Sequence, residues 1–123
     1  MDVKKLMFSK NHIWISKENN TVKLGLTDYA QKSMKSVVFV NLPDSGDELC
    51  VDKAFGDVES LKSVSDLISP LDGTITSVND SLVDEPDHIN DSPYNAWLIE
   101  AEATRLSDEL MTYDEYLAFL ERE

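Results

Sequence analysis

Phe55-Gly56-Asp57-Val58-Glu59-Ser60-Leu61-Lys62-Ser63-Val64-Ser65-Asp66 sets one lysine between two short β-like runs, with acids on both sides. Leu42-Pro43-Asp44-Ser45-Gly46-Asp47 precedes it and Pro70-Leu71-Asp72-Gly73 follows. Proline, glycine and aspartate in such clusters punctuate strands. The stretch therefore reads as two strands, Ala54–Glu59 and Val64–Ile68, joined by a tight turn with Lys62 at its tip. A turn tip projects side chains into water, where another protein can reach them. An amine held there suits covalent attachment of a cofactor arm better than catalysis in a pocket.

Outward from the turn, further short strands are predicted. His12–Ser16 carries apolar and aromatic residues, and Thr21–Leu26 places Val22, Leu24 and Leu26 on one face. Asn19-Asn20 supplies the turn between them, and Thr27-Asp28 starts a short helix ending near Ser33 or Met34. Val37–Val40 is β-branched and apolar and reads as a buried strand stopped by Pro43. Thr74–Val78 and a segment restarting at Trp97-Leu98-Ile99 read as two more strands. Ser81–Tyr94 is polar, with two prolines, and should form short helical turns and loop. Thr112 and Glu115 have capping-box spacing, with Met111 and Tyr116 at the staple positions of a C-terminal helix. Its face of Tyr116, Phe119 and Leu120 should cover the sheet. Many short strands with minor helices indicate a mostly β sandwich or partial barrel.

Composition bounds the function. At 123 residues, 41% hydrophobic and 28% charged, the chain is expected to be one domain spanning 1–123. Its longest apolar run, Val37–Val40, is far too short to span a bilayer. The single cysteine, Cys50, excludes an internal disulfide and is read as a small buried hydrophobe in a reducing compartment. Together with only His12 and His88, it cannot build a cysteine-rich zinc site. The net charge of −13 is uneven: residues 1–79 contribute −2 and residues 80–123 contribute −11. Such a surface repels nucleic acid and anionic membranes and attracts basic partner surfaces.

No nucleophile–base pair, phosphate loop or metal cluster is apparent, so the chain reads as non-catalytic. His12 is read as structural, His88 as solvated, Trp14 and Trp97 as core or sheet-face aromatics, and Asp84, Glu85 and Asp87 as a solvated face. A Schiff-base role for Lys62 would need burial or a neighbouring cation, whereas Asp57, Glu59 and Asp66 supply the opposite charge. A biotin carrier would favour Met on both sides of the lysine, where Leu61 and Ser63 stand.

These pieces, taken in order, resemble the H proteins of the glycine cleavage system, a family of small lipoyl carriers. The likeness runs from about Leu6 to Leu120. It rests on His12 and Trp14; Gly25-Leu26-Thr27-Asp28-Tyr29-Ala30-Gln31; Val38-Phe39-Val40-Asn41-Leu42-Pro43; Phe55-Gly56; Glu59-Ser60-Leu61-Lys62; Ser65-Asp66; Pro70 and Gly73; Asn90 with Pro93-Tyr94; and Trp97. The resemblance implies a lipoyl-domain barrel-sandwich hybrid with short peripheral helices and a C-terminal helix. It implies lipoic acid in amide linkage to Lys62, with Glu59 and Asp66 helping a lipoate ligase or lipoyltransferase recognise the hairpin. It implies a carrier that shuttles an aminomethyl group between a pyridoxal-phosphate glycine decarboxylase and a tetrahydrofolate-dependent aminomethyltransferase. Dihydrolipoyl dehydrogenase then reoxidises the arm. A cytoplasmic monomer is expected, or one in the mitochondrial matrix if a leader has been removed.

The chain departs from the family pattern at several points. His12-Ile13-Trp14 replaces His-Glu-Trp, Met34-Lys35-Ser36 replaces Leu-Gly-Asp, Asp52 stands for a turn glycine, and Asn95-Ala96 is a shortened segment. Family members dock the loaded arm in a cleft near the first of these, where Ile13 cannot pair with a cation. Two other readings follow: an H-like carrier used for lipoate relay or another lipoyl pathway, and an unmodified acidic interaction domain.

Overall fold

The computed structural model describes residues 2–122. In chain order the strands are β1 (Met7–Phe8), β2 (Ile13–Glu18), β3 (Thr21–Leu26), β4 (Val37–Asn41), β5 (Glu48–Leu49), β6 (Ala54–Ser60), β7 (Val64–Ile68), β8 (Leu71–Val78) and β9 (Ile99–Leu106). The helices are α1 (Asp28–Met34), α2 (Ser81–Asp84), α3 (His88–Asp91) and α4 (Tyr113–Glu121). A six-stranded sheet runs β1-β2-β3-β9-β8-β5, and a three-stranded sheet runs β4-β6-β7. Every pairing is antiparallel.

One core joins the sheets. Ile13, Ile15, Val22 and Leu24 of the larger sheet and Val40, Val58 and Leu67 of the smaller are all buried in it. Each such side chain contributes about 1.5–3 kcal/mol on removal from water. The period-2 pattern of β3 is realised, since Val22, Leu24 and Leu26 are all buried.

A second cluster forms where the chain ends meet. Leu6, Phe8, Trp14 and Tyr116 are buried there, and the Phe8 and Tyr116 rings stack at 4.7 Å. Trp14 pairs with Gly25 across β2 and β3. A Cβ at position 25 would run into the indole, so the close approach requires glycine. The Trp14 Nε1–H donates to Pro93 O at 3.0 Å.

The helix signals behave as their chemistry dictates. Thr27 Oγ1 accepts the Ala30 N–H to start α1. Thr112 and Glu115 form the expected capping box on α4. Met111 and Tyr116 lie in the same apolar cluster, as a staple requires.

Several expectations are corrected. Val37–Asn41 is a strand, but only Val37 and Val40 of Val37–Val40 are buried; Val38 and Phe39 are nearly half exposed. A β-bulge is responsible: Val37 pairs with Ser60 and Phe39 with Glu59, so Val38 is the extra residue and two neighbours turn outward. Cys50 is exposed rather than buried, in the turn before β6. His88 is half-buried on α3 rather than solvated. β8 begins at Leu71 and runs through Gly73, and β9 begins at Ile99, leaving Trp97 outside it with Lys23 Nζ 5.4 Å from its ring. β1 and β5, two residues each, are too short to leave a period in the sequence.

Lys35 and Asp52, where the resemblance implies glycine-bearing turns, both adopt positive φ, +65° and +68°. The backbone keeps the geometry that glycine favours, and the substituted side chains bear the strain.

Candidate functional site

The turn Leu61-Lys62-Ser63 joins β6 to β7 at one end of the smaller sheet. A single hydroxyl organises it. Ser60 Oγ accepts the N–H groups of Lys62 and Ser63 at 3.3 and 3.2 Å, and Ser60 N donates to Ser63 O at 2.8 Å. Leu61 N donates to Ser36 O at 3.3 Å, tying the tip to the turn before β4. With its backbone so fixed, Lys62 is left exposed beside Leu61, which is 76% exposed. Among the described residues the Lys62 ammonium makes no hydrogen bond or ion pair.

Glu59 and Asp66, the other two residues singled out from the sequence, are brought to one face of the hairpin without touching each other's register position. Glu59 pairs with Val64, and Asp66 pairs with Asp57. Alternate residues share a face, so Asp57, Glu59, Val64 and Asp66 all point the same way. Asp57 Oδ1 accepts a 2.7 Å hydrogen bond from Asn41 Nδ2 on β4. The hairpin face is thus acidic, with Lys62 as its one cation.

A cleft of about 230 Å³ lies against β7. Ser65 and Asp66 line one side, His12, Tyr29 and Met34 the other. Asp66 therefore belongs to both the hairpin and the cleft. His12 sits in the left-handed region (φ 65°), which aims its ring at Tyr29, 4.8 Å between centroids. Its Nδ1 and Tyr116 Oη are 2.8 Å apart, and that hydroxyl also meets the buried Thr27 Oγ1 at 2.8 Å. His12 is thus bonded into the fold and also forms part of the cleft wall. Ile13 does not line the cleft; it is fully buried in the main core opposite Leu26. A carboxylate placed there by mutation would be buried, so a glutamate at 13 is a poor probe of this cleft.

Asp28, at the start of α1, accepts from Gln31 Nε2 at 2.8 Å and pairs with Lys32 at 3.0 Å. The Gln31 hydrogen bond, the largest effect, holds its carboxyl below the usual carboxylate range; burial opposes it, and Lys32 adds to the lowering. The Tyr94 phenol is pushed up by burial.

Two contributors, Ser60 and Asn90, were given no role of their own in the sequence. Ser60 follows a short-range turn pattern, Ser-x-x-Ser, that could have been read as a side-chain-capped turn. Asn90 bridges three segments: its Oδ1 accepts Val37 N at 2.9 Å, and its Nδ2 donates to Lys35 O at 2.7 Å and Gln31 Oε1 at 3.0 Å. It clamps the α1–β4 connection that supports the hairpin tip. All these partners lie more than fifty residues away in sequence, so no local signal marks the role.

Comparison with known proteins accounts for this arrangement. Residues 6–123 match the family model described as Glycine cleavage H-protein. A glycine cleavage system H protein of Geobacillus thermodenitrificans is 45% identical over 120 residues, covering 95% of this chain and 94% of that one. One from Bacillus pumilus is 45% identical over 116 residues, covering 92% and 91%. The crystal structure of a glycine cleavage system H protein from Mycobacterium marinum superposes with a TM-score of 0.91 at 34% identity, covering 96% of this chain and 98% of that one. The mostly β barrel-sandwich architecture is therefore that of the family. Among the described residues no helix is long and apolar enough to cross a membrane. The chain belongs to the glycine cleavage H-protein family, the non-catalytic lipoyl carriers of that system.

Proposed function

We propose that Lys62 is the attachment point of lipoic acid and that the whole chain acts as one carrier domain in the bacterial cytoplasm. The observation that carries this is an exposed, unpaired ammonium on a backbone turn held by Ser60. Acylation suits that position. The amide forms between the lysine nitrogen and the lipoyl carboxyl, the ammonium charge is lost, and the net charge moves from −13 to −14. No buried partner is broken, so attachment costs the fold little. Glu59 and Asp66 offer the attaching enzyme two carboxylates in fixed register beside the target amine.

When bound, the lipoyl group would supply the disulfide that takes up and releases the aminomethyl fragment. The chain's own residues orient and shelter the arm. Ser65 and Asp66, on β7, stand three and four residues from Lys62 in the turn, at most about 10–13 Å of chain. An extended acylated lysine spans that distance and can lie in the cleft, where Asp66 offers a carboxylate and His12 and Tyr29 offer ring faces. A flexible arm on such a tether reaches a docked enzyme at an effective concentration of about a millimolar or more. Glycine decarboxylase, the aminomethyltransferase, dihydrolipoyl dehydrogenase and a lipoate ligase or lipoyltransferase are the partners that this role requires.

The test is intact mass after incubation with a lipoate ligase, lipoate and ATP. A lipoyl-sized increment is expected, and Lys62→Ala should lose it entirely while keeping its circular dichroism spectrum. A wild-type chain that gains no mass beside a working positive control would remove the carrier reading.

A further inference from the structure

A solvent-exposed turn can satisfy its amides with water. At the hairpin tip all three amides find partners in the chain instead. Leu61 N donates to Ser36 O, and Lys62 N and Ser63 N both donate to Ser60 Oγ. The same hydroxyl donates to Ser63 O at 3.3 Å. A serine hydroxyl has one proton and two lone pairs, so Ser60 commits its whole hydrogen-bonding capacity to the residues around the amine. Lys53 supplies the contrast. It stands at the opposite end of the β6–β7 ladder, next to the Ala54–Ile68 pair. Like Lys62 it is exposed and, among the described residues, makes no ion pair. Its N–H donates at 3.1 Å to a backbone carbonyl, Cys50 O, rather than to a side chain. Exposure and charge therefore do not separate the two amines, whereas the side-chain-held tip does.

We propose that Ser60 is the positioning residue for acylation of Lys62, its hydroxyl holding Leu61-Lys62-Ser63 in the shape that brings the amine to the acyl group on the attaching enzyme. The proposal rests on Lys62 being the attachment point. In that step the amine attacks the carbonyl carbon of a lipoyl adenylate, formed from lipoate and ATP. The C–N bond forms, the C–O bond to phosphate breaks and AMP leaves. The protons given up by the ammonium pass to solvent and AMP. Ser60 holds the Lys62 backbone and not its amine, so it acts on this step only through the shape of the tip. A nucleophile displaced by an ångström reacts far more slowly. Glu59 and Asp66 sit on the strands, and the 2.8 Å bond from Ser60 N to Ser63 O closes the hairpin without the side chain. Loss of the hydroxyl loosens the tip while sparing both the docking carboxylates and the fold.

The experiment measures acylation of the full chain by a lipoate ligase with lipoate and ATP, read by intact mass over time. Ser60→Ala should lower kcat about tenfold with KM within about twofold of wild type, the scale of lost hydrogen bonds that misplace a nucleophile. Ser60→Thr keeps the hydroxyl and should restore the wild-type kcat. Amide exchange should rise at Lys62 and Ser63 in Ser60→Ala and stay low in Ser60→Thr. N-hydroxysuccinimidyl acetate, which needs no docking, should acylate Lys62 and Lys53 in the same ratio in all three proteins. A Ser60→Ala kcat within about twofold of wild type would overturn the proposal. So would an equal loss in Ser60→Thr, or a fall in the reagent ratio matching the enzymatic loss. If the wild type takes no lipoyl group, the attachment reading falls and this proposal falls with it. If it is lipoylated and Ser60→Ala keeps pace, only the positioning role falls.

Discussion

The Lys62 hairpin and the aromatic cluster beneath α4 divide the molecule by how they treat their side chains. At the hairpin, Leu61 through Val64 are all exposed, and the turn is held by hydrogen bonds to one serine. In the cluster, Phe8 and Trp14 are fully buried and Tyr116 nearly so, with both the indole N–H and the phenol hydrogen-bonded. Residues at the first region can change with little effect on folding, because few contacts depend on them. Residues at the second cannot, because removing one leaves a void or an unpaired polar group. Burial is concentrated in the aromatic cluster, and exposed side chains at the Lys62 hairpin.

Lys62→Ala breaks the comparison on its functional side and should do so completely. Lipoyl incorporation should vanish, with thermal unfolding unchanged. Trp14→Ala is its mirror image, and urea unfolding should show a loss of about 3–5 kcal/mol, the usual range for truncating a buried aromatic. The folded fraction of that variant should still take lipoate, since Lys62 lies on the other sheet.

Asn90→Ala tests the boundary between the regions. It leaves Val37 N and Lys35 O unpaired and should cost about 1–3 kcal/mol. It should also raise amide hydrogen exchange selectively at Val37 and Leu61, since β4 and the hairpin tip are anchored through this connection.

Lys35→Gly should act oppositely. Relieving a lysine at φ 65° should stabilise the fold by about 1 kcal/mol in the same urea assay. Asp52→Gly should gain less, because aspartate tolerates the left-handed region better.

The smallest expected effect is Asp28→Asn. The Asp28 carboxyl is held below its ordinary range, so its contribution exists above the unfolded pKa and is lost as pH falls through the lower folded value. Partial exposure limits it to about 0.3–0.5 kcal/mol at neutral pH. Wild type and variant should converge in stability once the pH is below the usual carboxylate range.

The sequence by itself determined the features that depend on near neighbours. The strand–turn–strand around Lys62, the caps at Thr27 and Thr112, and the alternation of Val22, Leu24 and Leu26 are set by turn chemistry, capping geometry and side-chain period within a few residues. Tertiary structure alone decided what depends on distant partners. It turned Val38 and Phe39 outward through a bulge against β6, and exposed Cys50. It buried Ile13 beneath the cleft, and recruited Asn90 as a clamp from more than fifty residues away. An apolar residue in a strand has two faces to choose from, and pairing register makes the choice. That register is fixed only when the other strand arrives.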